Sequence, residues 1–212
     1  MLFRSLWDQD FDKKVERTAL RPIASGEIKS RYALLTLFGL LFASLLILLH
    51  LGFVTILLGI LSLCLVILYP LAKRFTYWPQ IVLGCVFNFG ALMGWSAVEG
   101  YVSITALVLY VSGVFWTLGY DTIYAYQDIK DDAVIGIKST ALKFKEHGHI
   151  WVMAFYCAHY LLFLLAGFLN NSHFLFYISA IVVFLIYTKR LLGWRMEDPK
   201  HCLQLFKENI TY

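Results

Sequence analysis

Six stretches dominated by apolar side chains, residues 32–49, 53–69, 79–97, 102–124, 149–169 and 173–188, leave this 212-residue chain few ways to fold. Each is near the ~20 residues that an α-helix needs to cross hydrocarbon, or slightly short of it. Hydrophobic residues make up 60% of the chain and charged residues only 15%, against the roughly 25% charge of a soluble domain. A water-facing surface cannot be built from that supply. The expected fold is therefore all-α, a polytopic transmembrane bundle of about six spans. Tight turns at His50-Leu51-Gly52, Glu99-Gly100-Tyr101 and Asn170-Asn171-Ser172 alternate with longer charged segments, so the spans should pair as three hairpins.

Charge orients the hairpins. Of the 18 Lys and Arg residues, seven precede Tyr32, Lys73 and Arg74 follow the second span, four lie between positions 130 and 145, and five lie between positions 189 and 207. All fall on one side, which the positive-inside rule makes cytoplasmic, with both termini there as well. The opposite side carries Glu99 alone among Asp, Glu, Lys and Arg. The net charge of +4 is thus explained by topology and anionic lipid, and no nucleic-acid partner is expected. No cleavable signal peptide is expected within residues 1–31, because the first long apolar run begins only near Tyr32. Cys64, Cys85 and Cys157 lie in apolar runs as filler, and Cys202 reads as a free thiol in a basic tail; no spacing suggests a disulfide framework or a zinc site.

Against this background two groups of acids stand out, Asp8 with Asp12, and Asp121 with Asp128 and Asp132, each where an apolar stretch meets water. A carboxylate at such a depth is costly and points to a cationic partner. The separations in the second group are seven and four, so on a continuous helix the three carboxylates share one stripe with Tyr124 and Ala125 between them, while Asp131 turns aside. Asp8 and Asp12 are likewise one turn apart. A single Asp at a helix end ordinarily serves solvation or capping, but two stripes on one membrane face suit Mg2+ carrying a diphosphate, since that ion takes hard oxygens from one or two carboxylates plus substrate phosphates.

Cationic groups complement the acids. Arg17 and Arg21 are one turn apart beside Asp12, in a segment where Pro22 and Gly26 mark a structured turn, and Lys73-Arg74 follows Tyr69-Pro70. Arginine grips a phosphate or carboxylate with two parallel hydrogen bonds. Aromatic residues concentrated in the third and fourth spans, Trp95, Phe115, Trp116 and Tyr120 among them, serve packing and the interfacial belt, and some are placed to stabilise a carbocation. Asn88 is expected to face the bundle interior, and His159, which has no ligand-spaced neighbour, reads as structural.

Residues 8–26 (DQDFDKKVERTALRPIASG), 68–80 (LYPLAKRFTYWPQ) and 119–140 (GYDTIYAYQDIKDDAVIGIKST) resemble the UbiA-type intramembrane prenyltransferases, in particular their 4-hydroxybenzoate polyprenyltransferase branch, and the resemblance runs nearly end to end. It implies transfer of a polyprenyl chain from its diphosphate to the ring carbon beside the hydroxyl of 4-hydroxybenzoate, an early step of ubiquinone synthesis, with Mg2+ as cofactor. The substrates would be polyprenyl diphosphate and 4-hydroxybenzoate. By motif, Asp8 and Asp12 match the later aspartates of the family's first acidic motif, Asp128 and Asp132 match those of the second, and Asp121 and Tyr124 match positions upstream of it. Arg74 is the implied carboxylate partner, while Lys73, Arg17, Arg21 and Tyr124 are the implied diphosphate contacts. The location implied is a cell inner membrane, or the mitochondrial inner membrane in a eukaryote.

The chain departs from the family where Arg4-Ser5 stands in place of the Asn-Asp that should open the first motif, and in carrying six spans of an expected nine. On this reading residues 1–212 form one transmembrane domain, a piece lacking two spans before and one after, with a companion fragment as an expected partner. Within it, residues 1–31 hold the first acidic motif and the Arg-rich turn, and residues 125–148 hold the second. Two other classes stay open: a non-catalytic remnant, and a cation transporter relaying through the Asp stripes. Within the enzyme class, acceptors other than 4-hydroxybenzoate also stay open.

Overall fold

The structure, a computed structural model, describes Leu6, Gln9, Lys13 and residues 20–209, with Lys73, Arg74 and Ile135 described by backbone alone. Among the described residues six helices are long and apolar enough to cross a bilayer. They are α1 (Ser30–Leu48), α2 (Phe53–Phe75), α3 (Pro79–Glu99), α4 (Ile104–Gln127), α7 (Gly148–Leu169) and α8 (Phe174–Leu192). The short helices α5 (Ile129–Ile135) and α6 (Thr140–Phe144) lie between α4 and α7, and α9 (Pro199–Glu208) follows α8. The fold is an all-α transmembrane bundle, as its long apolar runs require.

Helices α4 and α2, at 24 and 23 residues, are the longest, whereas α1 and α8 have 19. The second span was expected to end at Tyr69, but α2 runs through Pro70 to Phe75. Proline deletes one backbone hydrogen bond there, which a membrane helix tolerates when its neighbours compensate. The extension carries the backbone of Lys73 and Arg74 on regular helix. On the other side the turns are short. Gly100 closes α3 in a left-handed conformation at φ 77°, and the Ser103 hydroxyl caps α4 by accepting the Ala106 N–H at 3.1 Å.

Helix α4 is the hub, packed most extensively against α7 and α3 and also against α9, with α2 lying on α3 and α8 on α7. Small residues set these approaches. A β-carbon on Gly84 would meet the Val114 backbone at 3.1 Å, and one on Gly119 would meet the Tyr156 ring at 2.9 Å. Close approach of this kind drives association where lipid is as apolar as the side chains. Hydroxyls and amides then stitch the helices together: Thr55 to Ser96 at 2.8 Å, Asn88 Nδ2 to Thr117 Oγ1 at 2.8 Å, and Ser112 Oγ to the His159 carbonyl at 2.9 Å. Asn88 does face a neighbouring helix, and His159 is held by Ser112 as a structural residue.

Burial is uneven. Helix α1 buries only Ala33, and its Leu35 and Phe38 are 67% and 65% exposed. The largest buried cluster joins the ends of α4, α7 and α8 to α9 through Ile123, Tyr126, Val152, Tyr156, Trp194 and Cys202. Cys202 is a free thiol as expected, but it is buried in the core rather than set in an open tail, and the Trp194 indole N–H donates to its sulfur at 3.3 Å.

Candidate active site

The last turns of α4 divide their side chains by helical geometry. Thr122, Ile123, Ala125 and Tyr126 are buried toward the bundle, which leaves Asp121, Tyr124 and Asp128 half-buried along another stripe. Asp132 is half-buried too, while Asp131 is exposed as its register requires. The stripe is not one continuous helix, however. Asp128 leaves helical geometry at φ −108°, ψ 11°, and its N–H bonds to the Ala125 carbonyl at 3.2 Å in a tightened last turn. Helical bonding resumes at once in α5, where the Asp132 N–H reaches the Asp128 carbonyl at 2.8 Å. Asp121 thus belongs to the span and Asp132 to a separate short helix, with Asp128 at the joint.

After α5 the chain reverses at Gly136, φ 77°, a conformation that favours glycine. The Ile137 N–H closes this turn onto the Asp132 carbonyl at 3.0 Å. The returning segment docks on α2 and α3. The Lys138 ammonium donates to the Phe75 carbonyl at 3.4 Å and lies 5.4 Å from the Tyr77 ring centroid, while Lys143 lies 4.8 Å over Trp78. Buried Gln80 accepts the Thr140 N–H at 3.3 Å, and the Thr122 and Thr140 hydroxyls bond at 2.8 Å in the core. The segment following the second acidic motif therefore rests on the end of α2 that carries Lys73 and Arg74. Gln80, Lys138 and the threonine pair were missed in the sequence, where only their being polar within or beside apolar runs marked them.

The Arg21 turn forms as its proline and glycine require. The Ser25 N–H bonds to the Arg21 carbonyl at 2.8 Å and the Ile28 N–H to the Pro22 carbonyl at 2.8 Å, with Gly26 at φ 83°. Arg21 is half-buried. Gln9 ties the first acidic segment to this turn, donating to the Ile23 carbonyl at 3.4 Å and accepting from the Ser30 hydroxyl at 3.1 Å. Asp8, Asp12 and Arg17 lie outside the described residues, as does Arg4-Ser5.

At the other flank of α4, Phe206 of α9 packs its ring 4.7 Å from Tyr124 and 5.8 Å from Tyr120. Tyr120 in turn meets Trp116 edge-on at 5.1 Å, so an aromatic ladder climbs the span toward the carboxylates. Among the described residues no three His, Cys, Asp or Glu side chains form a ready-made cage. Asp121, Asp128 and Asp132 are instead hard oxygen donors divided among α4, the joint and α5, and the Oε1 of Gln127, next to Asp128 in the chain, is buried without a hydrogen-bond partner. That donor set fits Mg2+, which keeps waters and shares its shell with phosphates.

The profile of the UbiA prenyltransferase family matches residues 1–211. The chain belongs to this family. UbiA membership is consistent with a solved structure, "Apo structure of a UbiA homolog from Aeropyrum pernix K1", which superposes with a TM-score of 0.77 at 25% identity and covers 97% of this chain and 80% of that one. Similar curated proteins are named "4-hydroxybenzoate polyprenyltransferase, mitochondrial". The one from Drosophila melanogaster is 47% identical over 205 residues, 96% of this chain and 52% of its own length. The one from Homo sapiens is 45% identical over 207 residues, 97% of this chain and 56% of its own. The chain spans about half the length of the curated UbiA relatives it matches.

Proposed function

We propose that this UbiA-family chain carries the catalytic face of an aromatic prenyltransferase that moves a polyprenyl group from its diphosphate to the ring of 4-hydroxybenzoate, an early step of ubiquinone synthesis. The observation that carries the reading is the docking of the Lys138–Thr140 segment onto α2 and α3, which supports a shared site for the Asp128 region and the Lys73-Arg74 end of α2. The relatives' names favour 4-hydroxybenzoate as acceptor and the mitochondrial inner membrane as location. The basic face is proposed to be the matrix side there, or the cytoplasmic side in a bacterium, with both termini on it.

Asp121, Asp128 and Asp132, with Asp8 and Asp12, are the proposed holders of Mg2+. When bound, that ion supplies Lewis-acid neutralisation of diphosphate charge. Arg17, Arg21 and Lys73 add fixed positive charge where the leaving group gains negative charge, and the Tyr124 hydroxyl donates a hydrogen bond to it. The allylic carbon–oxygen bond breaks with its electron pair leaving on diphosphate. The phenol ring then forms a carbon–carbon bond to the allylic cation, and the displaced ring proton passes to Asp128. Arg74 holds the acceptor carboxylate in a two-point grip. The rings of Trp116 and Tyr120 face developing positive charge with electron-rich surfaces, and the apolar walls exclude the water that would capture the cation.

The test is release of diphosphate from radiolabelled polyprenyl diphosphate by the chain in proteoliposomes, with and without 4-hydroxybenzoate and Mg2+. Release that depends on both, with label appearing on the aromatic acid, is the expected result. Label passing to another aromatic acid but not to 4-hydroxybenzoate would sink the assignment of acceptor, and no Mg2+-dependent release would sink the enzymatic reading.

A further inference from the structure

The helix after the last span is tied down along its length, and nothing in the proposed chemistry uses it. Asp198 caps α9 by accepting the N–H groups of Lys200 at 2.9 Å and His201 at 3.3 Å. The Trp194 indole holds Cys202, Arg190 bridges to Glu208 at 3.1 Å, and the buried Tyr156 hydroxyl donates to Asn209 Oδ1 at 2.9 Å. Cys202 and Leu205 are the fully buried anchors on α4 and α7. Phe206 is not among them. It is half-buried, and its ring contacts are Tyr124 at 4.7 Å and Tyr120 at 5.8 Å. Tyr124 stands three residues after Asp121 and four before Asp128, hence next to both on the helix surface. A tyrosine at the wet end of a span has several rotamers open to it. A ring held against one side removes some of them.

We propose that Phe206 is a positioning residue: α9 holds its ring against Tyr124, so that the phenol is fixed beside Asp121 and Asp128 before diphosphate arrives. The inference rests on the reading that Tyr124 contacts the diphosphate, and it adds a helix remote in sequence to the machinery of the site.

The experiment titrates a non-hydrolysable thiolodiphosphate analogue of an allylic prenyl diphosphate, with Mg2+, against the full chain in nanodiscs by calorimetry. The variants are Phe206→Leu, which keeps apolar bulk but loses the ring, Phe206→Tyr, which keeps the ring, Tyr124→Phe, and Tyr124→Phe combined with Phe206→Leu. An aromatic pair of this kind corresponds to about three- to tenfold in affinity, so Phe206→Leu should weaken binding by that factor while Phe206→Tyr binds like the parent. The combined variant should bind no more weakly than Tyr124→Phe alone, because Phe206 acts through the lost hydroxyl. Multiplicative losses, or an unchanged Kd in Phe206→Leu, would overturn the proposal and leave the enzymatic reading standing. Failure of Phe206→Leu to give a monodisperse, helical protein would show the ring to be an anchor and equally overturn it. If the parent chain does not bind the analogue, the enzymatic reading fails first and the positioning role falls with it.

Discussion

Carboxylates at a membrane surface are distinguished by what surrounds them. Asp121, Asp128 and Asp132 are half-buried while Asp131 is exposed, so substitution should separate them sharply. Asp128→Asn or Asp132→Asn is expected to lower Mg2+-dependent turnover by about a hundredfold or more, whereas Asp131→Asn should leave it within about twofold; initial rates at saturating substrate measure both. Arg74→Lys is expected to raise KM for 4-hydroxybenzoate about tenfold with little change for the prenyl diphosphate, since lysine keeps the charge and loses the planar fork. Equal effects on both substrates would remove Arg74 from the acceptor site. The outward turn of Asp131 was legible in the sequence because helical register alone dictates it. The partnership of Gln80 with Thr140 was not, because it joins residues sixty apart, and no local pattern encodes which distant backbone N–H a buried amide will accept.

Among the elements, the spans themselves were readable, since an apolar run long enough to cross hydrocarbon has one stable form. Their ends were not. Pro70 does not stop α2, and Asp128 does break α4, because both outcomes are decided by what packs alongside. The threonine pair offers a direct test of the packing that holds the acidic segment. Thr122→Val leaves the Thr140 hydroxyl buried without its partner and should cost about 1–3 kcal/mol, as Thr140→Val should in turn; replacing both should cost less than the sum of the two. Thermal unfolding in detergent, read by tryptophan fluorescence, gives the cycle. For α9 the reporter is Cys202, whose pKa is raised chiefly by burial. A pKa raised by folding leaves stability intact below the ordinary thiol value and erodes it as pH climbs through the elevated one. Alkylation of Cys202 by iodoacetamide should therefore be slow at pH 8, and slower still when Trp194→Phe removes the N–H that favours the thiolate. Faster alkylation in that variant would show instead that the N–H holds α9 closed over the sulfur.

The whole molecule is asymmetric across the membrane, and its 18 basic residues make that asymmetry measurable. Cysteine introduced at position 138 should resist an impermeant maleimide from outside sealed cells or mitoplasts and react only after permeabilisation; labelling from outside would invert the topology. Lengths add a second asymmetry. At 1.5 Å per residue, α1 and α8 are about 28 Å long, close to the ~30 Å hydrocarbon layer, whereas α4 and α2 are about 36 and 34 Å. With α2 and α4 pinned by tight hairpins on the far side, the surplus emerges where Tyr124, Lys73 and Arg74 lie. Membrane thickness thereby becomes a dial on the hydration of the site. Moving from a bilayer of about 27 Å to one of about 33 Å draws roughly one more helical turn into oil, submerging Tyr124, which lies about 30 Å along α4, while Asp132, beyond the joint at Asp128, stays wet.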